Sequence, residues 1–71
     1  MGASEATAAN VRAMLGRRNL TKKDLAVLTG RTEMWVGRRL NGQTRISLED
    51  LALIAGALDL AASDLLSERV A

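Results

Sequence analysis

Apolar residues recur three and four positions apart along most of this chain, the period of an α-helix. Val11, Met14 and Leu15 fall on one face of a first helix ending at Arg18, with Ser4 or Thr7 as its cap. A second helix starts at Thr21, where Asp24 three residues on makes a capping-box pattern, and stops at Gly30. Its inward face carries Leu25, Leu28 and Thr29, with Ala26 beside them. Thr32 then caps a third helix, residues 32–41, that halts at Asn41-Gly42. Val36 and Leu40 lie four apart on it and must face inward. Ser47 and Asp50 open a fourth helix with the stripe Leu48, Leu51, Ala52, Ala55 and Leu58, widened by Leu53 and Ile54. A short fifth helix from Ala62 to Leu66 packs Leu65 and Leu66, although Ala61 is a poor cap. Residues from Ser67 to Ala71 are expected to fray.

Composition agrees with an all-α fold. The chain has no Pro, few β-branched or aromatic residues, and abundant Ala and Leu. Its 71 residues make a single domain, 1–71, with a core spanning residues 11–66. A domain of this size buries roughly 60% of its unfolded surface, so the core is thin. The 48% hydrophobic content argues against disorder. Without Cys or His there is no disulfide, no thiolate site and no usual zinc ligand set. No serine has a visible base partner and no Gly-rich phosphate loop occurs, so neither an enzyme nor a cofactor or small-molecule ligand is expected. No apolar run approaches the ~20 residues of a membrane span. The first residues lack a basic-then-apolar signal pattern. A cytoplasmic protein without membrane contact is the expectation.

The third helix carries the chemistry. At about 100° per residue, Val36 and Leu40 fix its core direction, and Met34 and Arg38 then lie about 160° and 200° from Val36, opposite the core. Trp35 lies on the flank and Arg39 nearer the core edge, where its stem must snorkel outward. Glu33 occupies the first turn and projects along the axis. Arg bonds guanine bidentately, Glu accepts from cytosine, and apolar groups touch the thymine methyl. The same residues have plainer roles open to them: Trp35 and Met34 in packing, Glu33 in favouring a helix N-terminus. Charge is divided along the chain. Through Arg45 there are nine basic and three acidic residues, whereas from Ile46 on there are one and five. A basic N-terminal part suggests a polyanionic partner. Lys22 and Lys23 stand at a helix N-terminus, where the dipole disfavours cations, as expected of residues kept for binding. Arg45 lies in the polar loop, and Arg17 and Arg18 end the first helix.

The blocks TKKDLAVLTG, RTEMWVGRRLNG and ISLEDLALIAGALDL resemble the phage-repressor and Cro-like (XRE-like) helix-turn-helix family from about Val11 to Leu66. The resemblance implies a compact five-helix bundle of the lambda-repressor-like kind, whose second and third helices form the DNA-binding unit. It implies that Thr32, Glu33, Met34, Trp35 and Arg38 face bases in the major groove. Lys22 looks like a phosphate-bonding residue, as does the segment from Asn41 to Arg45, and Lys23, Arg31, Arg39 and Arg17 complete the expected phosphate set. It further implies a sequence-specific transcriptional regulator, most like a repressor of Cro or short phage-repressor type. The partner would be a near-palindromic double-stranded operator, bound by a homodimer. Where Glu33, Met34 and Trp35 stand, the family often has Gln or Ser, so no operator sequence carries over. Gly37 stands where Ser is common. The alternative reading is a protein-interaction module of the same fold, such as an antitoxin, with Met34 and Trp35 as its anchor.

Overall fold

The computed structural model describes residues 3–66. Its helices are α1 (Ala3–Arg17), α2 (Lys22–Thr29), α3 (Glu33–Leu40), α4 (Leu48–Ala57) and α5 (Ala62–Leu66), and no strand occurs among the described residues. None of these helices is long and apolar enough to cross a membrane.

Local chemistry sets most of the boundaries. Thr21 is extended, its hydroxyl accepts the Asp24 N–H at 3.1 Å, and the Asp24 carboxylate accepts the Thr21 N–H at 2.8 Å. Ser47 and Asp50 repeat this reciprocal cap at 3.0 and 3.1 Å, satisfying donors that a helix start otherwise strands. Thr32 opens α3 by accepting the Trp35 N–H at 3.0 Å. At α5 the Asp64 carboxylate accepts the Ala61 N–H at 3.0 Å, which makes good the poor cap residue.

Three helices stop in the same way. A left-handed residue ends each: Asn19 (φ 56°) after α1, Gly30 (φ 71°) after α2 and Asp59 (φ 57°) after α4. The next residue then donates its N–H five positions back, Leu20 to Leu15, Arg31 to Ala26 and Leu60 to Ala55. This is the Schellman closure, whose final position normally carries an apolar group that packs back on the helix. Leu20 and Leu60 do so, whereas Arg31 is exposed.

α1 begins earlier than a cap at Ser4 or Thr7 allows, since it already runs from Ala3. Ser4 serves another purpose: its hydroxyl accepts the Ile46 N–H at 3.0 Å, tying α1 to the loop before α4. Thr7 is buried inside the helix. Further along, side chains of α1 and of Arg18, just past its end, hold the carbonyl ends of three other segments. Asn10 donates to the Leu65 carbonyl at 2.9 Å, Arg12 to that of Leu40 and Arg18 to that of Leu58. Carbonyls at helix C-termini have no partner within their own helix, and a cation there also meets the negative end of the dipole.

The core joins Val11 and Leu15 to Leu25 and Ala26, to Val36 and Leu40, to Leu51, Ile54, Ala55 and Leu58, and to Leu65. α2 packs on α3 and α4, α1 on α3 and α5, and α4 on α5. Thr29 is buried without cost because its hydroxyl donates to the Leu25 carbonyl at 2.8 Å. Four apolar residues expected inside are exposed instead: Leu28, Leu48, Ala52 and Leu66. α4 is apolar almost all round, so several stripes compete. The line through Leu51, Ile54, Ala55 and Leu58 closes the core and turns Leu48 and Ala52 outward. On α2 the pair Leu25 and Thr29 occupies the inward line, and Leu28 is rotated off it by about 80°. The expected fraying from Ser67 onward lies outside the described residues.

Leu25→Ala should destabilise the domain by about 2–5 kcal/mol. Leu48→Ala, at 78% exposure, should stay within about 0.5 kcal/mol of the parent. Urea unfolding followed by circular dichroism measures both.

Candidate nucleic-acid interface

α3 is joined to α2 by the three residues Gly30 to Thr32, and its inward side chains are Val36 and Leu40, each 1% exposed. With those two buried, Met34 is turned out at 64% exposure, together with Glu33 and Arg38. Thr32 is exposed at the helix start while its hydroxyl caps the first turn. Four of the five residues expected to face bases therefore lie on open surface. An α-helix with its side chains is about 10–12 Å across, so α3 fits the width of a major groove of about 12 Å.

Trp35, the fifth, is set differently. It is partly buried and packed against the core. The Arg39 guanidinium lies 4.0 Å from its ring centroid and that of Arg31 5.5 Å. Arg39 is held further: its Nε donates to the Asp50 carboxylate at 2.9 Å and a terminal nitrogen to the Trp35 carbonyl at 3.3 Å. The side chains of Arg39 and Asp50 are only 16% and 18% exposed. Asp50 thus caps α4 and anchors α3 with the same oxygen, a link between residues eleven apart that its capping pattern does not announce.

The cations fall into two groups. Arg12, Arg18 and Arg39 are engaged with carbonyls or a carboxylate of the fold. Arg17, Lys22, Lys23, Arg31, Arg38 and Arg45 are exposed and make no side-chain hydrogen bond or ion pair among the described residues. Lys22 and Lys23 occupy the first turn of α2, while Arg38 lies on α3 and Arg45 in the loop after it. Asn41 is exposed at the end of α3, and its side-chain oxygen accepts the Gln43 N–H at 3.3 Å. The Thr44 N–H donates to the Arg38 carbonyl at 3.1 Å, so this loop folds back on the helix it follows. Gly42 permits that turn with φ 85°.

A polyanion is the partner that such a surface suits, and the comparison with known families agrees. The family model of the Cro/C1-type HTH DNA-binding domain matches residues 10–67. The chain belongs to this family. No curated protein and no solved structure matches it. As a Cro/C1-type helix-turn-helix domain it is an all-α DNA-binding unit of regulator type, with double-stranded DNA as its partner. The resemblance read between Val11 and Leu66 covers nearly the same residues.

Two aspartates carry lowered pKa values in this Cro/C1-type domain. At Asp24 the Thr21 backbone N–H is the main cause, followed by the Thr21 hydroxyl, with Lys23 adding less. At Asp50 burial raises the value, but the Arg39 hydrogen bond, the Ser47 N–H and the Ser47 hydroxyl together outweigh it. Both folded values lie below the ordinary 3.8, so folding favours the ionised forms. That stability is complete above the ordinary value and is lost as pH falls through the depressed one. Asp50→Asn should lower stability at neutral pH and flatten the loss of stability below about pH 4, read from melting temperatures across a pH series.

Gly37 lies in the interior of α3, and a Cβ added there would meet nothing within 4 Å. Gly37→Ala should therefore raise the stability of the free domain by about 0.5–1 kcal/mol, measured by chemical denaturation.

Proposed function

We propose that this domain is a sequence-specific transcriptional regulator of the bacterial or phage-infected cytoplasm, most like a repressor of Cro or short phage-repressor type. The observation that carries the reading is the outward face of α3. Met34, Arg38 and Glu33 are exposed and take no part in the core, yet the burial of Val36 and Leu40 holds them in one orientation. Arg38 is the residue proposed to bond a guanine edge, Met34 to touch a thymine methyl, and Glu33 and Thr32 to meet bases near the helix start. Lys22, Lys23, Asn41, Arg45 and Arg17 are proposed to bond phosphates, which fix register without reading sequence. Arg39 is in the proposed phosphate set only through the field of its charge, since Asp50 already holds its guanidinium.

The molecule measures 26 × 23 × 19 Å. One turn of duplex is about 34 Å, so a single copy offers one recognition helix per turn. A second copy related by two-fold symmetry would supply the other, which favours a near-palindromic operator bound by a homodimer.

Selection of bound sequences from a random duplex pool tests this reading. A two-fold-related consensus supports it. No enriched sequence, together with binding that hardly responds to salt, would turn it toward a protein partner gripped through Met34. On the selected operator, Arg38→Ala should cost about 1–3 kcal/mol and relax preference at one position. Lys22→Ala should weaken binding to all sequences alike and lower the salt slope of log K by about 0.9. Titrations at several salt concentrations check both variants.

A further inference from the structure

Arg31 stands at the final position of a helix stop that this fold uses three times. After α1 and α4 that position holds Leu20 and Leu60, which pack on the core. After α2 it holds an arginine, whose backbone N–H closes the helix on the Ala26 carbonyl at 3.0 Å. The chain is therefore fixed at the root of this side chain. Its far end has a partner too, because the guanidinium lies over the Trp35 ring, 5.5 Å from its centroid. The ring is itself immobilised by the core beneath it and by Arg39 at 4.0 Å. Arg39 brings its own counter-ion in Asp50, so its charge is answered inside the protein. Arg31 has no carboxylate within ion-pair distance among the described residues. An anion approaching this column finds one charge without a carboxylate partner among the described residues, rooted in the helix stop and resting on the ring, beside the start of α3.

We propose that Trp35 is a positioning residue: its ring holds Arg31 ready as a clamp for one DNA phosphate at the edge of the groove that α3 enters. The ring does not read a base. A cation–π contact suits the planar guanidinium, because it keeps the hydrogen-bonding fork free for phosphate oxygens. A side chain ordered in advance loses less freedom on binding. The inference rests on the DNA-binding reading given above.

A double-mutant cycle on the selected operator tests it, with Arg31→Ala, Trp35→Leu and the pair measured at several salt concentrations. Each single variant is expected to weaken binding on the order of tenfold, as for loss of one charge-assisted bond. Each should lower the salt slope of log K by about 0.9, the signature of one phosphate contact. The double variant should be no weaker than either single one, and the selected sequence should not change. Trp35→Phe, which keeps an aromatic face, should restore most of the affinity, a rescue that also answers the case in which Trp35→Leu fails to fold. In the free protein, Arg31→Ala should shift the emission of Trp35, the only tryptophan in the chain. Effects that multiply in the double variant would overturn the clamp. So would a changed base preference with an unchanged slope in Trp35→Leu, which would make the ring a base reader. If the parent domain selects no sequence, the DNA-binding reading falls and the clamp with it; the other two outcomes remove the clamp alone.

Discussion

Val36 and Leu40 lie one turn apart on α3, and both are almost wholly excluded from solvent. A helix of eight residues with two such side chains has one permitted roll about its axis. Turning it by a single residue would rotate Val36 by about 100° out of the core and leave the space it fills empty. Every outward property of α3 follows from that roll: the exposure of Met34 and Arg38, the flank position of Trp35, and the reach of Arg39 to Asp50. Arg12 adds a constraint along the axis by holding the Leu40 carbonyl at the helix end.

The rest of the fold supports this orientation with short-range devices. Thr21–Asp24 and Ser47–Asp50 start α2 and α4, and the left-handed Asn19, Gly30 and Asp59 stop α1, α2 and α4. α1, through Asn10 and Arg12, and Arg18 just past its end then bind carbonyls of three other segments. In a domain with so thin a core, such polar closures matter, because each removes an unsatisfied carbonyl that burial alone would penalise.

What was legible in the sequence is what short spacings determine. The caps at Thr21, Thr32 and Ser47 and the stop at Gly30 involve residues at most five apart, and the inward pair on α3 follows from helical period. Arg38 and Met34 were readable as outward for the same reason. Leu28, Leu48, Ala52 and Leu66 lie outside the core, which the sequence does not show, because an apolar residue does not say which side of its helix the fold will use. The start of α1 is not legible from its cap residues because Ser4 spends its hydroxyl on Ile46, forty-two residues away. Counting charges locates the basic half, but it does not separate Arg12, Arg18 and Arg39, engaged with carbonyls or a carboxylate of the fold, from Arg38 and Arg45. That sorting depends on tertiary contacts such as Arg39 with Asp50.

The two faces of α3 have an evolutionary consequence. Val36 and Leu40 hold the domain together, while Glu33, Met34 and Arg38 touch nothing that the core needs. Mutations on the outward face are then close to neutral for folding, since exposed positions away from packed features tolerate exchange. Descendants of this chain are free to drift among target sites one residue at a time, without first having to regain a fold.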